Sequence, residues 1–260
     1  MSDFYKVSGI KEQILSHGAF DRFYECLELY QKLYSKREEG KGKDILRERM
    51  GMVVNLAKNR WSADIQRQNA VDNFYSKVIK SCEDGELEKE KVVDIIICSE
   101  ALLKLFSENL FNRGKEGESG QVILNNSIRY DLEGGRLNLH LNRNPNSDPG
   151  VIMKEITDGC KKVASLIREG KFSGVVDHCE VTSWLLADEY ILLFESLVGE
   201  NLDVVEVNQD DPEYLATVLV ALQYNKKPLM KFLKKGDIPF VGRIRMSLIE
   251  LATRIENTLG

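Results

Sequence analysis

The hydrophobic period of this chain changes partway along, and that change limits what it can fold into. From residue 8 to about 113 apolar side chains return every three or four residues. Phe20, Phe23, Tyr24, Leu27, Tyr30 and Tyr34, for example, form one stripe along a helix. Beyond residue 120 segments in which they return every second residue, the period of a strand with one buried face, alternate with helical ones. Between the two regimes NRGKEGESG at 112–120 holds three glycines and no apolar residue, the composition of a linker. The expectation is an α+β protein: a helical N-terminal domain over 1–115, followed over 120–260 by a mixed α/β sheet domain with helices covering the sheet.

In the first domain GKGK at 40–43 ends the aromatic helix. A second helical pattern runs from Asp44, read as an N-cap, past Trp61 and Ile65 towards Ile79 with a break. CEDGELEKE at 82–90 reads as a turn before a third helix, Lys91 to Phe111, apolar on more than one side. In the second domain Gln121–Glu133 and Arg136–Asn142 alternate around Gly134-Gly135, a hairpin signal because glycine accepts the positive φ of a tight turn. A helix over Pro149–Glu169 and a strand over Gly174–Ala187 follow. Beyond them the pattern predicts a helix Asp188–Val198, a strand Leu202–Asn208, a helix Asp211–Tyr224 with Pro212 in its first turn, and a last helix Gly242–Leu259.

Composition excludes several classes. With 43% hydrophobic and 30% charged residues the chain is expected to be a soluble globular protein, and its net charge of −5 disfavours broad nucleic-acid binding. Five scattered cysteines without a CxxC pair read as reduced thiols. The N-terminal MSDFYKVSG has no apolar stretch that would read as a signal peptide, and no apolar run reaches the roughly 20 residues that span a bilayer. The expected location is the cytoplasm, away from the membrane.

Two features carry candidate chemistry. Read as a strand, residues 174–187 set His178, Glu180, Thr182 and Trp184 on one face, with Cys179, Val181 and Leu185 on the other. RLNLHLN at 136–142 repeats the arrangement, with Arg136, Asn138 and His140 opposite Leu137, Leu139 and Leu141. In one sheet, His140, His178 and Glu180 would share a polar surface. There Glu180 or His178 has the chemistry of a general base, and His140 that of a second proton site. A metal reading of these three is weaker, and none is assigned; Cys179 reads as packed on the apolar side. The simpler alternative is a solvated polar sheet face. The second feature is cationic: seven Lys and Arg against the single Asp237 over 226–245, from which Lys226, Lys227, Arg243 and Arg245 are taken as candidates for binding an anion such as a nucleotide phosphate. A solvated face is again the plainer reading. No GxxxxGK[ST] or GxGxxG motif is present.

The order RYDLEGGRLNLHL, a long helix, CEVTSWLLAD, a short helix and DIPFVGRIRMSLIELATRI resembles the C-terminal domain of the GNAT-like acyltransferase-domain proteins, which also carry a helical N-terminal domain. The match spans about residues 128–255. It rests on Leu139-His140-Leu141, on Thr182-Ser183-Trp184-Leu185-Leu186, and on Ile238-Pro239 with Met246–Leu251. The chain departs from the family pattern after His140, where Leu141-Asn142 replaces a proline. It departs again in the final helix, which shows MSLIE in place of an LQR triplet, and it lacks the RxxGxG/A loop of better-known acetyltransferases. The resemblance implies acyl transfer from an acyl-CoA to an amine of a small molecule or peptide, with Glu180 or His178 as base and the 226–245 segment holding the CoA phosphates. The alternatives are a non-catalytic protein whose helical domain binds a partner or a second copy, and a ligand sensor that has a pocket but no usable base.

Overall fold

The computed structural model describes residues 2–59, 64–103, 122–125, 127–141, 149–187 and 191–260. In chain order its elements are α1 (Ser2–Leu15), α2 (Gly18–Ser35), α3 (Lys41–Asn59), α4 (Ile65–Asp84), α5 (Lys89–Ile97), β1 (Val122–Ile123), β2 (Ile128–Glu133), β3 (Arg136–Leu141), α6 (Pro149–Arg168), β4 (His178–Ser183), α7 (Leu192–Val198), β5 (Val205–Glu206), α8 (Pro212–Tyr224), α9 (Lys226–Lys235), β6 (Gly242–Ser247) and α10 (Leu248–Leu259). The fold class is α+β, with helices first and the sheet after them. The expected linker at 112–120 lies outside the described residues.

The chain divides into two compact units: Met1–Arg113 with Leu215–Pro239, and Gly114–Tyr214 with Phe240–Gly260. In the helical unit the aromatic stripe is interior. Phe20, Phe23, Leu27, Tyr30 and Tyr34 are all buried, so these rings build this unit's own core and are not a surface for a second chain. The helical pattern expected from Asp44 breaks into two helices, α3 and α4; Asp44 lies in the first turn of α3 and is not its cap, whereas α4 is capped by Asp64, whose carboxylate accepts from the backbone N–H of Gln66 and Arg67. Residues 215–239, placed by sequence with the sheet, belong to this unit because α9 buries Pro228, Leu229, Phe232 and Leu233 against α2 and α3. Arg49 Nη1 donates to the Leu233 carbonyl at 2.7 Å, and Lys226 pairs with Glu25 at 3.1 Å.

In the second unit six strands form one mixed sheet in the order β1-β2-β3-β4-β6-β5. The β2–β3 hairpin turns at Gly134-Gly135, whose φ values of 58° and 77° are the left-handed conformation that glycine accepts without strain. β4 runs parallel to β3 and antiparallel to β6. One face of the sheet is apolar: Ile128, Leu137 and Cys179 pack with Ile156, Cys160 and Val163 of α6 and with Leu251, Ala252 and Ile255 of α10. Burial of this face is the main stabilising term, at roughly 25 cal/mol per Å² of apolar surface.

Several expected elements change in extent: the strand expected over Leu202–Asn208 is only β5, Val205–Glu206, and the helix expected from Lys91 ends as α5 at Ile97. The strand 174–187 shortens to β4. Phe172 O accepts from the N–H of Val175 and Val176, with Gly174 at φ 76°, which closes a turn ahead of the strand. At the other end Ser183 Oγ caps a short 3₁₀ turn at Leu185 N, 3.1 Å, so that Trp184 leaves the alternation. The expected last helix begins as a strand: over 242–247 Arg243 and Arg245 alternate with Ile244 and Met246, and α10 starts only after Ser247, whose Oγ accepts from Glu250 N at 3.2 Å. Gly242 is where this strand is tightest. A Cβ there would lie 2.7 Å from Val204, 2.8 Å from Leu186 and 2.9 Å from Phe240. Gly242→Ala is therefore expected to destabilise the protein by about 1–3 kcal/mol through overpacking, read as a lower midpoint in urea denaturation.

Candidate functional site

Strand alternation places His178, Glu180 and Thr182 of β4 on the sheet face away from the core, and the pairing registers bring guanidinium groups to both sides of them. Across the parallel pair His178 lies opposite Arg136, and Glu180 opposite Asn138. Across the antiparallel pair Glu180 lies opposite Arg245, and Thr182 opposite Arg243. Neighbours directly and diagonally across strands are within reach of long side chains.

Glu180 is the centre of the cluster. Only 8% of its surface is exposed, and a carboxylate taken this far out of water needs partners. Arg136 Nη1 donates to its Oε1 at 2.9 Å, and Arg243 Nε lies 3.4 Å from the same oxygen. Arg243 makes three further contacts: Nε to Thr182 Oγ1 at 3.0 Å, and Nη2 to Asp211 Oδ2 at 2.9 Å and Glu213 Oε2 at 3.0 Å. Thr182 donates to Glu213 Oε2 at 2.8 Å, and Arg136 also reaches Glu213 at 3.5 Å. Further along the face Asn138 donates to Asp131 Oδ1 at 2.7 Å.

Asp211 and Glu213 come from the start of α8. Asp211 caps that helix by accepting from Glu213 N at 2.9 Å. Its partial burial disfavours the charged form, yet the bond from the Glu213 backbone and the Arg243 guanidinium together hold its pKa below the usual carboxylate range. Burial likewise opposes the charge on Arg243, and its carboxylate partners outweigh that and raise its pKa.

His178 and Glu180 are brought together, with Nε2 and Oε2 3.9 Å apart, which is too far for a hydrogen bond. Arg245 Nη2 lies 3.3 Å from His178 Nδ1. A guanidinium can only donate, so Nδ1 is the acceptor and the ring proton sits on Nε2, which is buried without a hydrogen-bond partner among the described residues. His140 sits on β3 opposite Arg129 of β2, and its side chain lies outside the described residues. Lys226 and Lys227 are exposed at the start of α9 in the helical unit, whereas Arg243 and Arg245 belong to β6 in the sheet unit. Cys179 faces the core, where burial pushes its thiol up to about 12, as it does for Cys160. Neither supplies a thiolate at neutral pH. Among the described residues no three His, Cys, Asp or Glu side chains are placed to hold a metal ion, and no helix is long and apolar enough to cross a membrane.

Compared with known proteins, the chain matches no family profile, no curated protein and no solved structure.

Sequence reasoning missed the two acids that complete the cluster. The cap at Asp211 was legible, but nothing local ties DDPE to a strand thirty residues away. Since the folded pKa of Asp211 is depressed, it adds stability that is present above the ordinary carboxylate pKa of about 4 and is lost as pH falls through the lower folded value. Asp211→Asn is expected to flatten the acid limb of the stability curve below about pH 4. Arg243→Met, which leaves Glu180 with Arg136 alone and takes the guanidinium from Asp211 and Glu213, should cost about 3 kcal/mol at pH 7, both effects being measured by urea unfolding across pH.

Proposed function

We propose that the sheet unit binds a small anionic molecule on this face without transforming it, which is the ligand-sensing alternative of the sequence reading. The observation that carries the proposal is the unequal use of the arginines. Arg136 and Arg243 are engaged with carboxylates, while Arg245 is exposed, has no carboxylate within 4.0 Å among the described residues, and contacts only the His178 ring. A guanidinium beside an imidazole on a fixed strand is suited to a carboxylate or phosphate oxygen. Glu180 serves this reading as an anchor: Oε1 is taken by two guanidiniums, which leaves it poorly placed to collect a proton from a substrate.

Thermal unfolding in the presence of CoA, acetyl-CoA, inorganic phosphate and citrate tests the proposal. A ligand at about 100 times its dissociation constant adds roughly 2.7 kcal/mol. At least one of these anions is expected to raise Tm in the wild type and not in Arg245→Gln; indifference to all four refutes anion binding here.

A second reading, acyl transfer from acyl-CoA to an amine within a GNAT-like domain, is favoured by one observation: the two candidate bases, His178 and Glu180, share one face of β4, with Nε2 and Oε2 3.9 Å apart. It requires that release of free CoA in the presence of amines be detectable and be abolished by His178→Gln, with CoA binding retained. Binding without CoA release would leave the sensor reading alone.

A further inference from the structure

The apolar side of the same sheet holds two clusters, one around Leu137, Cys179, Val163 and Leu251, the other of Leu186, Phe194 and Ile244. Val181 and Met246 pack against both. At this seam, between the sheet and helices α6, α7 and α10, lies a cavity of about 50 Å³ whose lining includes Ile128, Cys160, Cys179, Val181, Phe194 and Met246. The whole lining is apolar. A cavity of this kind gives a water molecule none of the two to four polar partners it needs, so it stays dry and admits apolar guests.

The space is not the result of loose packing. Gly159, next to the lining residue Cys160, stands so close to β2 that a Cβ would come within 2.9 Å of Ile128. Gly242, two residues before the lining residue Ile244, leaves no room for a methyl group either. Packing is tight at both glycines, and the free volume is that of the seam itself. Cys160, Cys179 and Met246 add polarizable sulfur to the wall, which favours dispersion contacts with a guest.

We propose that this seam is a binding site for a small uncharged apolar group of the size of a short alkyl chain. It is separate from the polar face: β4 presents Cys179 and Val181 to the cavity and His178, Glu180 and Thr182 to the other side. Size sets the class of guest. A dry apolar cavity of about 150 Å³ takes benzene or xenon; at about 50 Å³ this one is sized for the smallest such guests, a single xenon atom or a short alkyl group, rather than for an aromatic ring.

The test uses the full chain with methyl-labelled side chains, titrated with xenon and separately with propane and followed by NMR. Saturable shifts are expected at the methyls of Ile128, Leu139, Val181, Leu197 and Ile244, with benzene producing none. Cys179→Met and Val181→Ile, which fill the space from two positions, should each abolish the response; where the larger change impairs folding, Val181→Ile decides. Arg245→Gln should respond as the wild type does, which keeps this outcome independent of the anion reading. Shifts that rise linearly without saturating, that spread over surface methyls, or that persist in the folded filled variant overturn the proposal.

Discussion

The sheet unit depends on one carboxylate that has been taken out of water. Glu180 lies on β4, the fourth of six strands in the sheet, and is 8% exposed, so its charge must be met by groups that arrive from elsewhere in the chain. Arg136 reaches it from β3 and Arg243 from β6. Arg243 is held in turn by Thr182 and by the two acids at the start of α8. The parallel β3–β4 pairing, the antiparallel β4–β6 pairing and the placement of the α8 N-terminus are thus conditions of one electrostatic arrangement. A slip of β4 by one residue would turn Glu180 into the apolar layer and Cys179 and Val181 towards the guanidiniums. Such clusters add little net stability over a well-packed apolar substitute, so their physical contribution here is the penalty they place on alternative registers.

The same arrangement decides what the polar face can do. Three acids, Glu180, Asp211 and Glu213, surround Arg136 and Arg243, and those charges largely satisfy one another. A substrate would have to compete with partners already in place, at hydrogen-bond distances of about 3 Å. Arg245 and His178 lie at the margin of this network, joined by a single nitrogen–nitrogen contact. Among the described residues Arg245, on β6, is therefore the guanidinium of this face that no carboxylate holds, and the histidine proton on Nε2 points inward, towards Glu180. The two nitrogens of one ring thus meet different surroundings: Nδ1 accepts from Arg245, and Nε2 is buried.

How much of this was legible in the sequence follows from whether each signal is local. The alternation in RLNLHL and HCEVTS, the Gly134-Gly135 turn and the Asp211 cap all depend on residues within a few positions of each other, and each appears in the structure. Hydrophobic alternation alone extends the strand over 174–187, because it does not register what Gly174 and Ser183 do to the backbone. One supplies a positive φ and the other a capping hydroxyl, and both interrupt a strand. Residues 242–247 were drawn as helix because Ile244, Met246 and Leu248 continue into a genuinely helical pattern, which hides the change of period at Ser247. The cationic run 226–245 is continuous in sequence yet split between α9 and β6, which belong to different units. Charge counted along a chain does not report charge gathered in space, and the ion-pair partners of Glu180, from residues 136 and 243, could not be paired without the strand order.

Strand β4 shows how one segment meets two demands at successive positions. Its outward residues form directional contacts, where an error of one ångström breaks a hydrogen bond. Its inward residues, Cys179 and Val181, are small and meet neighbours through dispersion, where shape tolerance is greater and a void can persist if the surrounding backbone cannot close on it. At Gly159 and Gly242 the neighbouring side chains leave no room for a Cβ, while the seam between them and the strand keeps its void. The same strand thus carries a directional ion cluster on one face and an incompletely filled apolar layer on the other.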